Sequence, residues 1–382
     1  MRICLVGHSA AGLRPSPVGG SERQSALLAT ALSARGHDVT FVVIGLADAE
    51  GTVSGVHLRS GWDPGRGRRF VRAVTYRYPH LYKVLRAQHA DVYYARGAGF
   101  YTPFVVRAAR DSGASCVLGL ASDRDLSPDS GSVLFGLRGS SFSPLVARLA
   151  HRIYRNWALP AATWVAVQNR DQAAACTRLG LRNAMVPNIV LDPPEGLAGV
   201  ASTRDALWAG NVHEGRRSKG IEELAALAGA LPAVTFTVVG ELSGETHSQA
   251  IGRLANLPNV ELRGPLPHAQ TQAVIAAHRL VVNTSPSEGF SNVMLEGWAL
   301  GRPCVTLSVN PSGLLTGDRL GVCAGGDLSA MAAAVVVLLE EHDLRGSMAA
   351  RGRAYVSETH SLSAACAAFE KLIEAVPASL PV

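Results

Sequence analysis

The sequence is poor in several features that would each point to a function. Of its 36 Lys and Arg residues, only Lys83, Lys219 and Lys371 are lysine. The six cysteines, Cys4, Cys116, Cys176, Cys304, Cys323 and Cys366, include no CxxC pair. That argues against a disulfide framework and a zinc centre, and for a reducing cytoplasm. No apolar run approaches the roughly twenty residues needed to cross a bilayer. The opening MRICLVGHSAAG breaks into Gly and Ser too early for a signal peptide. The stretch AMAAAVVVLLEE (330–341) ends in acids and reads as a buried helix. A formal charge of +6 is weak for this length; it suits an anionic small ligand and does not argue for nucleic acid. No strand runs into GxGxxG with an acid about twenty residues on, which disfavours a dinucleotide-dependent oxidoreductase.

What is present is a globular composition, 47% hydrophobic and 17% charged over 382 residues, enough for two domains. Short β-rich runs alternate with helical patterns: RICLVGH (2–8), SERQSALLATALSARG (21–36) with Ser21 as N-cap and Gly36 closing, DVTFVVIG (38–45), ADVYYAR (90–96), SCVLGLAS (115–122) and TWVAVQN (163–169). After the Pro- and Gly-containing stretch 191–205 the alternation restarts with DALWAG (205–210), IEELAALAGAL (221–231), VTFTVVGEL (234–242), LVVNTS (280–285) and PCVTLSV (303–309). The expected fold class is α/β, two Rossmann-like doubly wound domains facing across a cleft. The expected domains are 1–192 and 203–355, with a helical tail, 356–382, that is a candidate for returning to the first. Ligands of such sheets bind beyond the carboxyl ends of the strands.

The most informative stretch is SPSEGFSNVMLEGWALGRPCV (285–305). Pro286 and Ser287 end a strand, Gly289 leaves the backbone unobstructed, and NVMLEGWALG has helical spacing. Amides near Gly289, Phe290, Ser291 and Asn292 at a helix start suit a diphosphate. Glu288 and Glu296 are eight positions apart, near a whole number of turns, so the spacing predicts that they share a helix face. A carboxylate accepts two hydrogen bonds at once, which suits a vicinal diol such as ribose.

This stretch resembles the signature of retaining GT-B glycosyltransferases of family 4, through Pro286-Ser287, Glu288-Gly289-Phe290, Leu295-Glu296 and Gly301-Pro303-Val305. GGSERQSALLATALSARGHDVTFVV (19–43) resembles the family's opening, and WAGNVHEGRRSKGIEEL resembles the start of its second domain. The resemblance extends over most of the chain. It implies a nucleotide-sugar donor held by the second domain, a UDP-sugar favoured, as co-substrate without a further cofactor, and an acceptor received by the first domain. By it Gly19 and Gly20 lie near the donor phosphates, Lys219 meets the diphosphate, Glu288 the transferred sugar and Glu296 the ribose hydroxyls.

Two departures bear on mechanism. The family's arginine after the second-domain glycine is replaced, since the chain reads Gly210-Asn211; Arg216 or Arg217 could supply the charge. The histidine that many members carry after the strand at 115–120 is replaced by Ala121, so Ser122 or Asp123 could take its part. The "DRD" at 123–125 mimics a metal-binding DxD, but two acids in a loop are the simpler account, and no metal is expected.

Each feature has a plainer alternative. Two glutamates on a helix usually mark a solvated face, a lone lysine is usually surface, and His151, in a basic helix, is expected at the surface. The acceptor is not legible. GRGRRFVRAVTYRYPHLYKVLRAQ (65–88) is a candidate for an anionic acceptor, for peripheral membrane contact, or for a solvated basic helix; the loop 127–144 has the small residues of an acceptor gate. The competing function is a catalytically weak nucleotide-sugar-binding protein that acts with a partner.

Overall fold

The computed structural model describes residues 1–8, 19–44, 50–68, 71–127, 144–197, 200–213, 219–317 and 319–375. The chain divides into two compact units, Met1–Ile189 with Leu362–Val382, and Val190–Ser361.

The first unit holds strands β1 (Arg2–Gly7), β2 (Asp38–Val43), β3 (Gly51–Val53), β4 (Val56–Ser60), β5 (Val92–Arg96), β6 (Ser115–Gly119), β7 (Trp164–Val167) and β8 (Asn183–Met185). They form one sheet in the order β3-β4-β2-β1-β5-β6-β7-β8, parallel except for the β3–β4 pair. Its helices are α1 (Gly20–Ala34), α2 (Tyr78–Ala87), α3 (Thr102–Asp111), α4 (Pro144–Ile153), α5 (Leu159–Ala161) and α6 (Arg170–Arg178). The sheet is covered on both faces, as β1 shows: Ile3 and Leu5 join one buried cluster, Cys4 and Val6 another. Alternate residues of one strand therefore feed two cores, which is why the strands read as continuous apolar runs.

The second unit holds β9 (Arg204–Ala209), β10 (Phe236–Val239), β11 (Val260–Leu262), β12 (His278–Asn283), β13 (Cys304–Thr306) and β14 (Gly321–Cys323), all parallel, in the order β11-β10-β9-β12-β13-β14. Its helices are α7 (Ile221–Ala230), α8 (Ser248–Asn256), α9 (His268–Ala277), α10 (Asn292–Ala299), α11 (Leu328–Glu340) and α12 (His342–Tyr355). The expected architecture of two doubly wound α/β sheets is therefore borne out. The last helix, α13 (Leu362–Glu374), packs with α1 through Ala365, Phe369, Leu372 and Ile373. Arg35 donates two hydrogen bonds to the Glu370 carboxylate, each 2.7 Å, fastening it there.

Local expectations fail in three places. Ser21 is not the N-cap: α1 begins at Gly20, Gly19 holds the cap position, and Arg23 N–H already donates to Gly19 C=O. The apolar run at 330–341 is buried on one face only, through Met331, Val335 and Leu338, while Val337 is exposed. His151 is 3% exposed, with Nε2 2.8 Å from the Ser127 carbonyl, because α4 turns its basic residues outward and this one inward. In the 65–88 stretch, Tyr76, Tyr78 and Tyr82 are partly buried against the first unit's core. Arg69, Phe70 and most of the 127–144 loop lie outside the described residues. Among the described residues no helix is long and apolar enough to cross a membrane.

Candidate active site

At the carboxyl end of β12 the chain turns polar, Asn283-Thr284-Ser285, and all three side chains stay buried. Each has a partner. Thr284 Oγ1 accepts from the Trp208 indole N–H at 3.0 Å and reaches the Lys219 carbonyl at 3.2 Å. Ser285 N–H donates to Asn283 Oδ1 at 2.8 Å. These bonds tie the β12 end to the residues that open α7.

Gly220 explains how closely they meet. Its φ is +74°, and a Cβ there would stand 1.9 Å from the Thr284 carbonyl oxygen. Only glycine tolerates both the left-handed backbone and that approach. The Lys219 side chain is thereby brought to the turn after β12, where its Nζ lies 2.9 Å from Glu288 Oε1. Ser285 Oγ donates to the same oxygen at 2.7 Å, and Asn283 Nδ2 stands 3.5 Å away. Burial alone would push the Glu288 carboxyl up. The Lys219 ammonium, with hydrogen bonds from Lys219, Ser285 and Asn283, outweighs that and holds it below the ordinary carboxylate range. Glu288 is therefore a preorganised anion beside a cation, on a turn rather than in a helix.

That corrects the spacing argument. α10 begins at Asn292 with Ser291 at its cap position, so Glu288 and Glu296 do not share a helix face. The glycine and the Pro-Ser turn break the period before it starts. Glu296 is helical, its side chain only 12% exposed, and its Oε1 lies 2.9 Å from His268 Nε2 at the start of α9. Phe290 points inward, 6% exposed, with its ring edge-to-face against Trp298 and His360. Asn211 Oδ1 accepts from Glu241 N–H at 2.9 Å, linking the ends of β9 and β10. Arg216 and Arg217 lie outside the described residues.

Gly19, Gly20 and Asp123 belong to the first unit. Asp123 Oδ1 accepts from Gln172 Nε2 at 2.9 Å, and burial, opposed by that hydrogen bond, raises its carboxyl. Asp125 accepts from the amides of Ala121 and Ser122 at 2.7 and 3.2 Å, closing a capping box with Ser122. The second acid of "DRD" is thus occupied by backbone. The sequence reading missed Asn283, Thr284, Ser285 and His268. The first three carried a signal, a polar triplet directly after an apolar strand; His268 carried none.

Residues 19–188 match the family model described as glycosyl transferase 4-like domain, and residues 203–341 match glycosyl transferases group 1. None of the curated proteins matches the chain. Among solved structures, the sucrose-phosphate synthase of Thermosynechococcus elongatus superposes with a TM-score of 0.74 at 17% identity, covering 98% of each chain. Anabaena HepE, solved in complex with UDP-glucose, gives 0.67 at 21% identity, covering 98% of this chain and all of the other. WaaG, a glycosyltransferase involved in lipopolysaccharide biosynthesis, gives 0.69 at 16% identity over 99% of this chain and all of the other. At these identities the likeness speaks for the fold. With a glycosyltransferase domain matched in each of its two parallel-sheet units, the chain belongs to the glycosyltransferases of the GT-B fold.

Proposed function

We propose that this glycosyltransferase takes a sugar from a nucleotide-diphosphate donor, a UDP-sugar in the first instance, and transfers it with retention of anomeric configuration and without a metal. The observation that carries the reading is the Lys219–Glu288 pair on the turn between β12 and α10. The UDP and UDP-glucose complexes of Anabaena HepE support the choice of nucleotide. The six free cysteines, five of them buried, support a reducing compartment.

In this reading the sugar C1–O bond to the diphosphate breaks while the acceptor oxygen bonds C1 on the same face. The acceptor's proton passes to the departing phosphate oxygen, so no enzymic base is required and Ala121 is tolerated. Lys219 and the amides from Gly289 to Asn292 stabilise the charge that develops on the leaving group, usually the largest catalytic contribution. Glu288, already an anion, meets the sugar, and Glu296 holds the ribose diol. Asp123 remains the alternative proton acceptor.

A thermal-shift screen of UDP, GDP, ADP and dTDP and their sugars, followed by proton NMR of the anomeric centre in the product, tests this. Stabilisation by UDP-sugars and an axial-to-axial outcome from an α-linked donor are expected. An inverted product, or no response to any nucleotide, overturns it.

A further inference from the structure

Arg96 ends β5, a central strand of the first unit's sheet, flanked by β1 and β6. Its Nη2 donates to Asn188 Oδ1 at 2.7 Å, while its Nε is buried without a hydrogen-bond partner among the described residues. Among the described residues no carboxylate lies within ion-pair distance of it. A partly buried guanidinium with five donors, one neutral partner and one orphaned N–H costs free energy that the fold does not recover locally.

A structural strut does not explain it. The segment that carries Asn188 is already held by Gln24, whose Nε2 donates to the Ile189 carbonyl at 2.9 Å and whose Oε1 accepts from Ile189 N–H at 2.7 Å. Nor is Arg96 at the back of the sheet. Gly97 follows with φ +77°, its would-be Cβ 3.3 Å from Ala121 Cβ, and Tyr101, whose ring edge meets His8 after β1, donates to the Arg96 carbonyl. Arg96 thus stands at the carboxyl edge between the ends of β1 and β6, where open parallel sheets receive ligands.

We propose that Arg96 is an oxyanion-binding residue of the acceptor site, and that the acceptor carries a phosphate or carboxylate which the guanidinium takes through its planar fork. The inference rests on the reading that the first unit receives the acceptor while the second holds the donor.

The test uses the full chain saturated with UDP, so that the donor's phosphate site is filled. Binding of glucose 6-phosphate, glucuronate and glucose is measured by calorimetry. Binding of at least one anionic probe but not of glucose is expected, and the probe that binds identifies the oxyanion. Arg96→Gln, which removes the charge and the fork, should weaken that binding by about tenfold or more with UDP affinity unchanged. No anionic probe binding to the UDP-saturated protein, or equal binding by Arg96→Gln, overturns the proposal. If Arg96→Gln fails to bind UDP and is therefore misfolded, Arg96→Lys decides: it keeps charge without the fork, and unchanged affinity sinks the inference. Failure of the wild type to bind UDP would instead count against the donor reading.

Discussion

Lys219 Nζ and Glu288 Oε1 stand 2.9 Å apart although 69 positions separate them in sequence. The groups assigned to the diphosphate and to the sugar are each other's partners. Their coupling should be about 1–2 kcal/mol in a double-mutant cycle of stability at pH 7, discounted for the partly exposed lysine. Because the pair lowers the Glu288 carboxyl in the folded state, its contribution is present above the ordinary value of 4.5 and is lost as pH falls through the lowered one. In Lys219→Ala burial acts with less opposition, so the acid limb of the rate profile should move to higher pH. An unmoved limb would separate the two residues functionally.

The two glutamates should fail differently. Glu288→Ala should abolish transfer and leave UDP affinity nearly intact. Glu296→Ala should weaken UDP binding by about 1–3 kcal/mol, the scale of hydrogen bonds to a charged group. Calorimetry with UDP beside single-turnover transfer checks both. Equal losses of UDP affinity would contradict the division of roles.

Activity should survive EDTA, because the diphosphate charge is assigned to Lys219 and helix-start amides. Lys219→Ala should cost on the order of 2–4 kcal/mol in single-turnover transfer with saturating donor, at least as much as Ser122→Ala or Asp123→Ala. A strict requirement for a divalent ion, or a large loss confined to Asp123→Ala, would move the chemistry to the first unit.

Two glycines next to and within α7 should respond in opposite directions. Gly220→Ala places a Cβ against the Thr284 carbonyl in a left-handed backbone and should destabilise by about 3 kcal/mol or more. Gly229, a helical position with open space around it, should gain about 0.5–1 kcal/mol as alanine. Urea denaturation of both variants measures the pair, and a neutral Gly220→Ala would mean that the β12 end and Lys219 do not meet this closely.

The fold was legible because its signals are local. A parallel strand buried on both faces reads as a short apolar run, and Gly36 and Gly301 mark helix ends through backbone conformation alone. The polar triplet after β12 was also written in the chain. The eight-residue spacing misled, because periodicity carries meaning only inside an uninterrupted helix, and Pro286 to Ser291 are not helical.

By itself, then, the sequence determined two α/β halves and the short stretch, 283–305, in which a polar turn joins a strand to a helix. Residues a few positions apart are constrained by backbone geometry, which composition and spacing report. Only the tertiary structure decided that Lys219 pairs with Glu288, that His268 holds Glu296, that His151 is buried, and that Arg96 lacks a counter-charge among the described residues. Each of these depends on which elements the fold brings together, and sheet order joins residues by hydrogen bonds between strands that are distant along the chain.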